Sequence, residues 1–152
     1  MVGSGSTETK DMSRFTTTIN VRYAETDKMG VAHHSSYLLW YELARTGLLR
    51  DAGYAYRDLE AAGTLLPVVE YRCRFLKGAD YDDEVRIETS ITELRSRSIR
   101  FRYRAYRNED LLGEGWTRHI CVNRENTPRR FDAQVVAALQ KYLEPADSPA
   151  EI

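Results

Sequence analysis

The sequence predicts an α+β domain in which helices pack on one face of an antiparallel sheet. Three features lead to this expectation. A long apolar helix is indicated after Ser35–Ser36, long segments of alternating polarity follow it, and an amphipathic helix comes last. Because the alternating segments are joined by short connectors, neighbouring strands are expected to run antiparallel.

Length and composition favour one domain without a bulk nucleic-acid or membrane surface. The chain has 152 residues, a net charge of -1 and no apolar run long enough to span a membrane. Its two cysteines, Cys73 and Cys121, lie in apolar alternation and are expected to be free thiols of a cytoplasmic protein without a secretory signal. We expect a disordered tail over residues 1–14, the domain over 15–144 and a frayed tail over 145–152.

The first strand is expected from Phe15 to Tyr23, because apolar residues and threonines occupy every second position. The long helix follows, with Ser35 or Ser36 as its N-cap and Gly53 at its end. Its first two turns are apolar on most faces, which is typical of a helix wrapped by other structure. Gly47 lies inside this helix, where glycine costs about 1 kcal/mol relative to alanine.

The remaining elements follow the same reasoning. A short helical turn over 56–62 is closed by Gly63, and strands are expected over 65–76, 84–94, 99–107 and 111–123. Asp132 is expected to cap a last helix with Val135, Val136, Leu139 and Leu143 on one face.

The loop between the first strand and the helix concentrates chemically active groups. Residues 25 to 34 carry two carboxylates, two histidines and Gly30. Titratable groups brought to a helix N-terminus can hold and polarise a carbonyl or an anion. This loop is therefore the candidate site.

The loop with Asp27 and Gly30, the helix HHSSYLLWYELAR and the later strand DYDDEVRIETSI resemble the 4-hydroxybenzoyl-CoA thioesterase branch of the hotdog-fold superfamily, which includes the YbgC-like acyl-CoA thioesterases. The resemblance covers about residues 15 to 143. The family pattern is a tyrosine, an aspartate four residues on and a histidine seven beyond that, matched here by Tyr23, Asp27 and His34. It departs from the pattern at Lys28, where proline or alanine is common, and at Ser36, where asparagine is common.

The resemblance implies a hotdog fold, in which a curved antiparallel sheet of about five strands wraps the long helix, here with a C-terminal helix added. It also implies hydrolysis of an acyl-CoA thioester to free acid and CoA, without a cofactor. Asp27 would act as nucleophile or general base, and the sequence does not decide between them. Tyr23 and His34 would complete the catalytic set, and backbone N–H groups of His34 and Ser35 would form the oxyanion hole.

The resemblance further implies a homodimer with its sheets joined edge to edge and its sites at the subunit interface, and it suggests pairing of dimers into tetramers. The phosphates of CoA require cations, and arginine binds phosphate in a bidentate manner. The candidate cations lie in predicted turns: Arg95, Arg97, Lys77, Arg129 and Arg130.

Each candidate residue also has a purely structural interpretation. Asp27 could cap the loop, as aspartate commonly does in turns. Tyr23 could pack in the core, Glu25 is expected to be solvated, and His119 is expected to be an ordinary sheet residue. A metal site at Glu25, Asp27, His33 and His34 is disfavoured, because these residues lack a helical i, i+4 pair and a cysteine.

Two other functions remain open from the sequence. The same chemistry could act on an acyl group bound to a carrier protein, and a hotdog domain could bind acyl-CoA without hydrolysing it. The acyl group, the choice of dimer or tetramer and the pathway are also open.

Overall fold

The computed structural model describes residues 12–145, and its strands form one antiparallel sheet. The strands are β1 Phe15–Asn20, β2 Val68–Phe75, β3 Glu84–Leu94, β4 Ser98–Arg107 and β5 Asp110–Ile120. Their order across the sheet is β1-β3-β4-β5-β2, so β1 and β2 form the two edges. The predicted tails over 1–14 and 145–152 lie outside the described residues, except for 12–14 and 145.

Three helices complete the fold and confirm the α+β class. They are α1 His34–Asp51, α2 Tyr56–Ala61 and α3 Ala133–Leu139, with 3-10 turns at Tyr23–Glu25 and Gln140–Tyr142. The curved sheet wraps α1, as the hotdog resemblance implies. The buried face of α1 consists of Ser36, Tyr37, Trp40, Tyr41, Ala44, Leu48 and Leu49.

Two glycines allow α1 to lie directly against the sheet. A Cβ atom added at Gly47 of α1 would lie 2.9 Å from Cε1 of Phe15 on β1. A Cβ atom added at Gly113 of β5 would lie 3.1 Å from Cε1 of Tyr37. A larger side chain at either position would push the helix and the strand apart.

The start of α1 differs from the prediction. The helix begins at His34, and His33 is the N-cap in place of Ser35 or Ser36. The Nδ1 atom of His33 accepts the Ser35 N–H at 3.2 Å, which is the contact a serine hydroxyl would otherwise make. The first strand also ends earlier, at Asn20, because Tyr23 already belongs to a 3-10 turn.

Apolar side chains are exposed on two surfaces of the described residues. Leu39 and Leu43 of α1 are 51% and 55% exposed, because the sheet covers only one side of the helix. On the edge strand β2, Tyr71 and Phe75 are 55% and 47% exposed.

Both cysteines are free, as expected: Cys121 is buried and Cys73 half-buried.

Candidate active site

The loop before α1 is a compact turn closed by main-chain hydrogen bonds. The N–H of Asp27 donates to the Val31 carbonyl at 2.9 Å, and the N–H of Gly30 donates to the Asp27 carbonyl at 3.0 Å. Gly30 has φ +79°, a conformation that glycine adopts without strain. This geometry holds Asp27 at a defined position in front of the helix.

Glu25 anchors this loop, and the prediction that it is solvated is wrong. Its side chain is only 7% exposed. One carboxylate oxygen accepts the Arg22 N–H at 2.7 Å, and the other accepts the Trp40 indole N–H at 2.9 Å. The Glu25 carbonyl also accepts the His33 N–H at 2.7 Å. A carboxylate whose two oxygens each accept a hydrogen bond is stable when buried.

Asp27 has one oxygen engaged in the loop and one available. Its Oδ1 accepts the Met29 N–H at 2.8 Å, so the predicted loop-capping role is real. Its Oδ2 has no hydrogen-bond partner within residues 12–145. The side chain lines an open cavity of about 350 Å³, together with His34, Tyr37, Phe75 and others. We call this the Asp27 cavity.

The N-terminus of α1 presents one free amide to this region. His34 is the first residue of the helix and lines the Asp27 cavity. Its backbone N–H has no acceptor among the described residues, whereas the Ser35 N–H already donates to Nδ1 of His33 at 3.2 Å. Of the two predicted oxyanion donors, the His34 amide is therefore available and the Ser35 amide is occupied. The dipole of the 18-residue helix favours negative charge at the same position.

Tyr23 lies away from the Asp27 cavity. Its side chain is 77% exposed and its ring meets Tyr81 edge-on, with centroids 5.7 Å apart. The interpretation of Tyr23 as a core residue is therefore wrong, and the residue is not part of the cavity wall. Its predicted catalytic role stays a prediction.

The structure separates the predicted CoA-binding cations into two groups. Lys77 lies in the β2–β3 turn and lines the Asp27 cavity, where its ammonium donates to Asp110 at 2.9 Å. Arg95 and Arg97 lie in the β3–β4 hairpin, which adjoins the opposite end of the sheet. This separation follows from the course of β3, because Lys77 lies in the connector before that strand and both arginines lie in the connector after it.

The four arginines among the predicted CoA-binding cations are partly engaged in ion pairs. Arg95 pairs with Glu93 at 2.6 Å, and Arg129 pairs with Asp132 at 3.0 Å. Arg97 and Arg130 are exposed, and neither forms an ion pair within residues 12–145. This end of the sheet therefore keeps at least two guanidinium groups available.

The structure contains a second cavity, of about 210 Å³, which the sequence did not predict. Its wall includes Glu42 and Arg45 from α1, Tyr56 from α2 and His119 from β5. One signal was visible in the sequence, because Arg45 follows Tyr37 and Tyr41 at intervals of four residues on the buried side of α1. A charged residue in register with two core tyrosines indicates a polar feature inside the fold.

Within residues 12–145, no three His, Cys, Asp or Glu side chains are grouped so that they could hold a metal ion. No helix in that range combines the length and apolar content needed to cross a membrane.

Comparison with known proteins identifies the family. The model of the thioesterase-like superfamily matches residues 21–151. YneP of Bacillus subtilis is 37% identical over 109 residues, which cover 71% of this chain and 79% of that protein. The acyl-CoA thioester hydrolase YbgC of Escherichia coli O6:H1 is 32% identical, with 81% of this chain and 93% of that protein covered. The crystal structure of the hypothetical protein TT1821 from Thermus thermophilus superposes with a TM-score of 0.80 at 43% identity, covering 82% of this chain and 96% of that one. The chain therefore belongs to the thioesterase-like superfamily of hotdog-fold thioester hydrolases.

Proposed function

We propose that the protein hydrolyses acyl-CoA thioesters and that Asp27 is the central catalytic residue. The observation that carries this proposal is the free Oδ2 of Asp27 in a cavity beside the unoccupied His34 amide at the start of α1. This pairing supplies a base or nucleophile and an oxyanion donor within one pocket. The name of the relative YbgC supports the same reaction class.

Two routes use this geometry, and in both the C–S bond of the thioester breaks. In the first, Oδ2 attacks the carbonyl carbon, the thiolate of CoA leaves, and water hydrolyses the resulting anhydride. In the second, Asp27 takes a proton from a water molecule whose oxygen attacks the carbonyl carbon, and the departing thiolate is then protonated. Both routes produce free acid and CoA thiol.

Both routes place negative charge on the former carbonyl oxygen. The His34 N–H would donate to this oxygen, and the positive end of the α1 dipole would add a field of the same sign. Loss of one such donor typically costs about 3 kcal/mol of transition-state stabilisation. The His34 imidazole would then border the acyl or pantetheine chain, since it lines the cavity.

The edge strand β2 supports a homodimer. Within residues 12–145, β2 pairs only with β5, and it exposes Val68, Val69, Tyr71 and Phe75 by 44% or more. An exposed apolar edge strand presents unpaired N–H and C=O groups that can pair with another chain. We therefore assign β2 to a twofold interface in which two copies of the sheet join. The exposed Leu39 and Leu43 offer a further apolar surface through which two such dimers could form a tetramer.

A twofold interface along β2 would bring the separated cations to the site. Phe75 lies at the Asp27 end of β2, and Val68 lies at the end near the β3–β4 hairpin. Antiparallel pairing of β2 with its copy places the Phe75 end of one subunit beside the Val68 end of the other. Arg97 of one subunit would then approach the Asp27 cavity of its partner, where CoA phosphates need a cation.

Substitution of Asp27 tests the proposal. The Asp27→Asn variant should lose at least about 100-fold in kcat for acyl-CoA hydrolysis, measured as release of free thiol. Asn can still accept the Met29 N–H, so the melting temperature should change little. The exposed Asp58→Asn on α2 is the matched control and should retain activity. Near-normal turnover by Asp27→Asn would refute the assignment.

Two assays of the wild-type protein separate the remaining candidate functions. A carrier-protein thioesterase would hydrolyse an acylated carrier faster than the matching acyl-CoA, because exposed Arg97 and Arg130 would then meet an acidic protein surface. A binding protein would retain acyl-CoA tightly and release no thiol even with Asp27 intact.

A further inference from the structure

The second cavity, which we call the distal cavity, lies beside the C-terminal half of α1. Apolar side chains of Leu49, Phe101 and Val68 form part of its wall, and Arg45 and Tyr56 contribute polar atoms. Its volume of about 210 Å³ exceeds the roughly 150 Å³ of a cavity that binds benzene in another protein. The distal cavity can therefore hold a six-carbon chain or ring with a polar substituent.

A directional chain of buried hydrogen bonds begins at His119, which lines this cavity. His119 Nδ1 lies 2.9 Å from the Leu66 carbonyl, which only accepts, so Nδ1 carries the proton. Burial lowers the pKa of His119 to about 4, so the ring is neutral near pH 7 and its Nε2 accepts the Thr117 hydroxyl at 2.8 Å. The Thr117 oxygen in turn accepts the Tyr103 hydroxyl at 2.6 Å. Each proton in this series of hydrogen bonds is already donated, so none is available to donate to a ligand.

Arg45 and Tyr56 are the donors that remain. Arg45 is half-buried and forms no ion pair within residues 12–145. Burial raises the pKa of Tyr103, and Arg45, whose guanidinium donates to the Tyr103 hydroxyl, opposes that rise. The other N–H groups of the Arg45 guanidinium remain for a ligand. Tyr56 accepts the Leu66 N–H at 3.1 Å and keeps its own proton available. Glu42 is exposed and lies on the solvent side.

The distal cavity and the Asp27 cavity lie at opposite ends of the same strand. Val68 lines the distal cavity, and Phe75 lines the Asp27 cavity. These are the first and last residues of β2, so antiparallel pairing with a second copy in a register centred on β2 would place them opposite one another. The twofold interface therefore turns the distal cavity of one subunit toward the Asp27 cavity of the other.

We propose that the distal cavity receives the far end of the acyl group whose thioester lies at Asp27 of the partner subunit. Arg45 and Tyr56 select acyl groups that carry an oxygen acceptor at that end, either a carboxylate or a hydroxyl. This inference rests on the proposed thioesterase function and adds the substrate class and the subunit that recognises it. The two acceptor types share one chemistry, and the substrate panel distinguishes them.

The test compares matched substrates with the full-length protein. Hexanoyl-CoA, 6-hydroxyhexanoyl-CoA and adipoyl-CoA have the same chain length and differ only at the far end. Wild type should show a higher kcat/KM for at least one acceptor-bearing substrate than for hexanoyl-CoA. Arg45→Met should lower the ratio of these kcat/KM values by about 10- to 100-fold, the usual range for a hydrogen bond to a charged group. Arg50→Met, on the exposed side of the same helix, is the matched control.

A binding measurement tests the same acceptor preference without requiring turnover. In the Asp27→Asn background, Arg45→Met should weaken binding of the acceptor-bearing acyl-CoA relative to hexanoyl-CoA by a similar factor. Arg45→Gln serves as a second variant, because it keeps a donor and should retain part of the preference. Equal losses for all three substrates in Arg45→Met, or no preference in wild type, would overturn the inference.

Mixed dimers test the contribution of the partner. In a dimer of one Asp27→Asn subunit and one Arg45→Met subunit, one composite site regains both wild-type residues. Recovery of the acceptor preference after mixing supports recognition across the interface, and failure to recover it overturns that arrangement. If no thioester is cleaved while Asp27 is intact, the proposed function itself fails, whereas cleavage without acceptor preference overturns only this inference.

Discussion

Glu25 Oε2 accepts a hydrogen bond from the Trp40 indole N–H at 2.9 Å, and both side chains are buried. Trp40 belongs to the core face of α1, while Glu25 closes the loop that carries Asp27. The bond therefore ties the position of the proposed catalytic carboxylate to the packed helix. A loop of polar residues gains order in this way without any packing of its own.

Removal of Glu25 should reduce both stability and activity. Glu25→Ala leaves the buried Trp40 N–H without an acceptor, which should cost about 1 to 3 kcal/mol in the free energy of unfolding. We expect kcat to fall as well, because the loop would no longer hold Asp27 in place. Urea denaturation and thiol release would measure the two effects. Glu109→Ala, at the exposed tip of the β4–β5 hairpin, is the control.

Trp40→Phe refines this test. It removes the donor, so Glu25→Ala should cost less in that background, since removing both partners is milder than removing one. Additive effects of the two substitutions would argue against the hydrogen bond as the cause.

His119 should make stability depend on pH in the acid range. Burial lowers its pKa to about 4 in the folded protein, against about 6.5 in the unfolded chain. Between these values the unfolded state binds more protons, so stability is complete above about pH 6.5 and falls as the pH drops toward 4. From pH 7 to pH 4.5 this contribution should decrease by about 2 to 3 kcal/mol.

His119→Gln is the variant for this measurement. Glutamine can donate to the Leu66 carbonyl and accept from Thr117, and it does not titrate. Urea denaturation of both proteins at the two pH values should show a smaller loss in the variant. An identical loss would mean that other groups cause the pH dependence.

Gly47 and Phe15 should be energetically coupled. Gly47→Ala gains up to about 1 kcal/mol in helix propensity, but its methyl group would lie 2.9 Å from the Phe15 ring. The substitution should therefore stabilise the Phe15→Ala variant more than it stabilises wild type, by about 1 kcal/mol. Thermal denaturation of the four proteins in this cycle measures the coupling, and a coupling near zero would contradict the close contact.

The β2 edge should control both assembly and activity. Val69→Asp places a charge on the exposed edge strand and should convert the protein to a monomer of 17.5 kDa, as measured by light scattering. Activity should be lost with the dimer, because the proposed site needs both subunits. Leu43→Lys, on the exposed side of α1, should leave the dimer intact and remove only a tetramer. A fully active monomeric variant would rule out a shared site.

Arg97 should act on CoA and not on the acyl group. Arg97→Ala should raise KM for acyl-CoA about 2- to 10-fold, as expected for loss of one exposed contact between opposite charges. The corresponding N-acetylcysteamine thioester lacks the phosphates, so its KM should not change. Arg57→Ala, on exposed α2, serves as control. An equal effect on both substrates would indicate a structural role for Arg97.

The elements of the fold could be predicted from local patterns. β3 was predicted with its observed bounds, Glu84–Leu94, because its side chains alternate between two faces over most of its length. The end of α1 near Gly53 followed from the positive φ that glycine accepts, here +94°. The start of α1 was less predictable, since a histidine took the capping role usually filled by serine.

By itself, the sequence determined the class of the fold, the order of its elements and the position of Asp27 before a helix, because these depend on residue spacing along the chain. The tertiary structure alone decided which polar residues meet. It buried Glu25 against Trp40 and directed Tyr23 outward. It also brought Arg45 and Tyr56 to one cavity. Such neighbours come together through strand order and helix packing, which no local pattern records.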